Sequence, residues 1–163
     1  MKKSIALVTL TFLFAGFIYS QDAVTKSGRL RDLAVKQVVA TTFDNEGKPY
    51  IIFFWSTSNP ASGQMLNIIA AKYADWQKET GVKIITVAVD DVQNAAKVGS
   101  FIQSNKWVYE NYLDQGQDYM NVMHVNNVPY VFVFNGRKEI TFQFSYNDGD
   151  ETAIYDALKK TVN

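Results

Sequence analysis

The sequence has no cysteine, a single histidine (His124) and three prolines in 163 residues. Without thiols the chain can form no disulfide framework and can perform no dithiol chemistry of its own. Zero cysteines and one imidazole also argue against a zinc or iron–sulfur site, so neither a metal nor a cofactor is expected. Excess charge of one sign is missing too, with 16 basic and 16 acidic residues. No basic patch or charge run stands out, which argues against nucleic-acid binding. Internal repeats, low-complexity tracts, inter-domain linkers and a G-x-S-x-G nucleophile motif are all absent.

Long apolar runs are scarce as well. The longest covers residues 5–18, behind the positive pair Lys2–Lys3 and ahead of Tyr19-Ser20-Gln21. That order reads as a secretory signal peptide over residues 1–20, cleaved after Ser20. The alternative is an uncleaved membrane anchor, but the run is shorter than the roughly 20 residues that span a bilayer comfortably. With no lipobox cysteine, a lipoprotein anchor is excluded. Cleavage would remove Lys2 and Lys3 and leave 14 basic against 16 acidic residues, a net charge of −2. No stable membrane insertion is expected after it.

What remains is rich in core-forming material, 47% hydrophobic and 14% aromatic over the whole chain. Residues 21–29 read as a flexible polar lead and residues 30–163 as one domain. Residues 30–42 suggest one or two short edge strands, and Asp44 to Pro49 a turn. The unbroken run Tyr50-Ile51-Ile52-Phe53-Phe54-Trp55 predicts a strand buried on both faces. Asn59-Pro60 then supplies an N-cap and a first-turn proline. Leu66, Ile69, Tyr73 and Trp76 follow at helical spacing, and Gly81 closes the helix. Strands are expected over 82–89, 109–113 and 130–134, and helices over 92–105 and 117–124. Asn135-Gly136 gives a two-residue hairpin signal, with the partner strand from Glu139. Ile154, Ala157, Leu158 and Val162 mark a last helix. The order implies an α/β fold: a mixed sheet with parallel right-handed crossovers, a closing antiparallel hairpin, flanking helices and extra N-terminal strands.

Specific residues narrow this order further. Phe54-Trp55-Ser56-Thr57 resembles the F-W-A-T that leads into the W-C-x-P-C motif of TlpA/ResA-like, redoxin-domain thiol–disulfide oxidoreductases. Val125-Asn126-Asn127-Val128-Pro129-Tyr130 resembles that family's loop ending in a cis-proline. Residues 73–83 resemble the helix end and strand start of its Bacteroidota members. The resemblance runs from about Leu30 to the C-terminus and implies a thioredoxin fold.

The departure lies at the chemistry. The two cysteine positions fall on Asn59 and Ser62, the preceding tryptophan on Ser58, and an acid that often follows on Met65. Pro60-Ala61 replaces the usual x-P. Disulfide exchange needs an attacking thiolate and a resolving thiol; an amide and a hydroxyl supply neither. No catalytic residue is therefore assigned. The resemblance implies that Val128 offers its backbone to an extended substrate by strand addition. Trp55, Ser58, Asn59, Pro60, Pro129 and Tyr130 complete the expected groove, unless Trp55 and Tyr130 simply pack the sheet. The expected role is a non-catalytic binding module for an exported protein or extended peptide. The alternatives are a redox-homeostasis protein that borrows thiols from a partner, or a redundant paralogue. The leader and the resemblance imply the periplasm, with an extracellular location as the alternative.

Three other constellations have plain readings. His124 with Ser58 or Ser62 would be a nucleophile–base pair, but a surface histidine at a helix end is expected instead. Asp148, Asp150 and Glu151 around Gly149 read as a turn and an acidic first helical turn rather than a calcium loop. Asp90-Asp91 ends a strand where ligands of α/β sheets bind, but is expected to cap the next helix.

Overall fold

A computed structural model describes residues 28–40, 43–145 and 151–162. The expected leader, most of the polar lead and Asp148 to Asp150 lie outside the described residues. The strands are β1 (Arg29–Asp32), β2 (Gln37–Val39), β3 (Tyr50–Trp55), β4 (Lys83–Ala88), β5 (Glu110–Leu113), β6 (Tyr130–Phe134) and β7 (Ile140–Ser145). They form one sheet in the order β2-β1-β5-β4-β3-β6-β7. β3, β4 and β5 run parallel, and every other neighbouring pair is antiparallel. The helices are α1 (Pro60–Thr80), α2 (Ala95–Asn105), α3 (Asp118–Val122) and α4 (Glu151–Thr161). This is the thioredoxin-like arrangement with additional N-terminal strands.

The run at 50–55 is buried throughout because alternate side chains enter different cores. Ile51, Phe53 and Trp55 face one cluster with Leu66, Ile69 and Trp76 of α1, Val98 and Ile102 of α2, and Ile154 and Leu158 of α4. Tyr50, Ile52 and Phe54 face a second, with Tyr119, Met120 and Met123 in and beside α3. Gly81 ends α1 at φ 69°, a left-handed geometry that glycine adopts without a Cβ clash, and its N–H bonds the Gln77 carbonyl at 2.8 Å.

Two expectations at the sheet margins need correction. β1 is no edge strand: it begins at Arg29, inside the expected flexible lead, and lies between β2 and β5. The β6–β7 connection is not a two-residue hairpin either. It runs from Asn135 to Glu139, with Lys138 at φ 63° and a register shift at Val133/Phe134. The Asn135 carboxamide oxygen accepts from the N–H groups of Arg137 and Glu139 at 2.9 and 3.0 Å, which stabilises the longer turn.

The β1–β2 turn carries an unusual residue. Asp32 accepts from Val35 N–H through its carbonyl (2.9 Å) and from Lys36 N–H through its carboxylate (2.8 Å). The turn thereby forces Val35 to φ 65°. A β-branched side chain there is strained, and glycine is the usual occupant. Val35→Gly should therefore raise stability by about 1 kcal/mol. Urea unfolding reads this directly, and an unchanged or lower midpoint would refute it.

Candidate functional site

β3 delivers the chain to the sheet's carboxyl end, where Ser56-Thr57-Ser58 turns into α1. Asn59 is the N-cap, extended at φ −107° and ψ 105°, and its carboxamide oxygen accepts from Ser62 N–H at 3.1 Å. Pro60 occupies the first turn, where no N–H is needed. The other half of the Asn59 amide points across the cleft: Nδ2 donates to the Val128 carbonyl at 2.8 Å. The Val128–Pro129 bond is cis. One amide thus satisfies the helix start and ties it to the proline loop.

A second tie comes from β4. Trp55 and Ala88 are register partners, so residues just beyond both strands meet. The buried Asp90 carboxylate accepts from Thr57 N–H at 3.1 Å to each oxygen, from the Thr57 hydroxyl, and from Ser56 Oγ at 3.3 Å. Ser56 and Ser58 hydroxyls are 2.8 Å apart. Asp91 closes the turn ahead of α2, accepting from Asn94 N–H at 2.9 Å. The expectation that the two aspartates cap α2 needs correction, since its N-cap is Asn94 and no side chain caps it. Asp90 clamps the loop instead, a role that sequence reasoning missed. Its only signal was an acid one strand over from a Ser/Thr loop, which is legible once the register is known.

Between these elements lies an open polar cleft of about 450 Å³. Ser58, Asn59 and Val128 line it from the expected set, joined by Asp90, Asp91 and Asn126 among others. Val128 is half-buried, and its N–H forms no hydrogen bond among the described residues. Other expected groove residues sit elsewhere. Trp55 is 0% exposed and packs edge-on to Trp107 at 5.1 Å and tilted to Phe101 at 5.7 Å, so it is core and gives the groove no surface. Pro129 is buried. Tyr130 is half-buried against Phe132 at 4.9 Å.

Ser62 departs most from expectation. It does not sit at an exposed helix start but is 0% exposed, and its Oγ has no hydrogen-bond partner. The Trp55 indole N–H is likewise buried and unpartnered. The cause is helical geometry: three residues past the cap, Ser62 has turned inward with Met65 and Leu66. His124 is exposed, at φ 55°, beyond α3, and nothing joins it to Ser58 or Ser62. No group of three or more metal-ligating side chains occurs among the described residues. Glu151 is bound by Lys72 at 2.7 Å.

Asp114 supports the far wall. It is fully buried at the end of β5 and accepts from Met120 N–H at 2.7 Å and Tyr119 N–H at 3.3 Å. Burial pushes its carboxyl above the ordinary 3.8, against the lowering effect of those donors, and nearby Asp118 adds to the rise. A raised folded pKa favours the protonated folded state. Its stabilisation is full below 3.8 and is lost as pH climbs through the folded value. Over that interval the wild-type Tm should fall more steeply with pH than that of Asp114→Asn. Parallel Tm–pH curves would show that Asp114 carries no such linkage.

The cleft offers donors and acceptors for an extended main chain and no nucleophile of the sulfur type. A sequence model of a family described as thioredoxin-like matches residues 47–140. Sporulation thiol-disulfide oxidoreductase A of Bacillus subtilis (strain 168) is 31% identical over 97 residues, covering 59% of this chain and 58% of that protein. The chain thus matches little more than half the length of that relative. The solution structure of an uncharacterized thioredoxin-like protein from Porphyromonas gingivalis superposes with a TM-score of 0.74 and 36% identity, covering 82% of this chain and 88% of the other. The crystal structure of StoA from Bacillus subtilis shares the fold, with a TM-score of 0.64, 23% identity, and coverage of 83% and 98%.

Proposed function

Because the chain belongs to the thioredoxin-like family, we propose that it uses the family's groove to hold an extended segment of another exported protein without exchanging disulfides. The carrying observation is the state of Val128. Its carbonyl is engaged by Asn59 at 2.8 Å, while its N–H has no partner among the described residues and Val128 lines the cleft. A free N–H beside a carbonyl with a second lone pair is the edge that an incoming strand pairs with. No thiol stands where a mixed disulfide would form, so occupancy is reversible and set by hydrogen bonding and burial. The apolar run at 5–18 behind Lys2 and Lys3 supports export to the periplasm, with cleavage after Ser20.

The test is fluorescence anisotropy with labelled twelve-residue unfolded peptides of varied sequence. Saturable binding is expected, lost in the double variant Asn59→Arg/Val128→Arg. Because Asn59→Arg also removes the cap, its loss of about 1–2 kcal/mol is followed by urea unfolding, and binding is read where both proteins are folded. Equal binding by both proteins, or by neither, overturns the groove reading. Insulin reduction by the wild type should stay at the rate of the reductant alone, and a faster rate would restore the oxidoreductase alternative.

A further inference from the structure

The β1–β2 hairpin has a composition that neither the fold nor the groove requires. Its turn exposes Leu33 (46%) and Val35 (60%), with Ala34 between them. Val35 is also the β-branched residue held at φ 65°. Side chains this exposed bury little apolar area within the domain, and the backbone at Val35 is strained as well. Backbone outliers of this kind cluster where a segment meets a ligand.

Cations stand directly behind this tip. Arg29 and Arg31 share one exposed face of β1, two residues apart, and Lys36 flanks the turn. Against them stand two carboxylates, Asp118 at 3.6 Å from Arg29 and Asp32, whose carboxylate accepts from Lys36 N–H, while Arg31 donates to Gln115 Oε1 at 3.4 Å. Arg31 and Lys36 thus stand a residue or two from the tip, and Arg29 is set back by about 7 Å more at roughly 3.3 Å per residue.

We propose that this hairpin docks on an anionic lipid surface, with Leu33 and Val35 entering the acyl boundary and Arg31 and Lys36 at the headgroup phosphates. Interfacial segments sink about 5–10 Å, which carries the apolar tip past the headgroups and leaves the cations level with them. An acidic protein partner would match the cations but not the exposed apolar residues concentrated at the turn. Each cation near a charged leaflet adds about tenfold or less in partitioning, so binding is weak, reversible and salt-sensitive. The proposal does not depend on the groove.

The experiment is co-sedimentation of the full chain, as recovered from the expressing cell, with phosphatidylcholine vesicles or with vesicles containing 30% phosphatidylglycerol. Every variant keeps the same N-terminal segment, so any contribution from residues 5–18 is common to all arms. Binding should favour the anionic vesicles and weaken with salt. Arg31→Gln/Lys36→Gln should lower it about tenfold or more, and Leu33→Ser severalfold. Val35→Gly is the discriminating variant: partitioning should fall while the unfolding midpoint rises, and a purely structural role for Val35 cannot produce opposite shifts. Equal binding to both vesicle types, or variants that sediment like the wild type, overturns the proposal. So does salt-sensitive binding to polyglutamate without binding to vesicles, which would point to an acidic protein partner.

Discussion

Asn59→Cys combined with Ser62→Cys should convert this chain into a working dithiol protein. The helix start already has the required geometry: Ser62 N–H bonds the Asn59 carbonyl at 3.1 Å, closing a tight turn that brings the two Cβ atoms to one side. Pro60 occupies the first helical position, and the helix N-terminus stabilises an anion there. A thiol pKa lowered from about 8.5 to about 7 raises the thiolate fraction at pH 7 roughly fifteenfold. Position 62 suits a buried sulfur well, since its hydroxyl is fully enclosed and unpartnered while a thiol behaves as a small apolar group. The substitution at 59 sacrifices the cap and the bond to Val128, so some stability is lost as activity is gained. Reductant-driven insulin reduction and thiol titration check the result. Each single substitution should stay at background, Asn59→Cys for want of a resolving thiol and Ser62→Cys for want of access. A folded double variant that forms no disulfide, or that remains at background, would show the site to be more altered than its two missing sulfurs.

Gly136→Ala should be the most damaging small substitution in the described fold, costing about 3 kcal/mol. A Cβ at Gly136 would lie 1.9 Å from the Gly47 carbonyl oxygen and 2.5 Å from its carbon. The obstacle is backbone, so no side-chain rotation relieves it. Neither partner can withdraw easily. The turn holding Gly47 is pinned through Asn45 Nδ2, which donates to the carbonyls of Pro49 at 2.7 Å and Gly81 at 2.9 Å. The turn holding Gly136 is fixed by the Asn135 side chain. A Tm lower by about 10 °C is expected, measured by thermal unfolding. A loss under about 1 kcal/mol would mean that the two turns separate freely.

Gly136 illustrates what was legible in the chain and what was not. Asn135-Gly136 announced a hairpin, and a hairpin is there, but its loop length and the reason for glycine were misread. The glycine serves a contact with residue 47, a relation invisible to local pattern. Ser62 and Trp55 teach the same lesson at the site. Their alignment positions were readable, but their burial depends on which way the first turn of α1 faces and on how Phe101 and Trp107 close around the indole.

The sequence by itself determined the element order, the doubly buried strand at 50–55, the cap and stop of the first long helix, the proline loop and the absence of any thiol. These follow from residue type, period and near neighbours, all local quantities. The tertiary structure alone decided that Asn59 reaches Val128, that Asp90 holds the Ser56–Thr57 loop rather than a helix, that Ser62 is sealed from solvent, and that β1 is inserted beside β5. Those outcomes depend on strand order, on register and on which face of α1 turns inward, and the pairings join residues 33 to 82 positions apart. Pairings at that distance leave no periodic trace in a single chain.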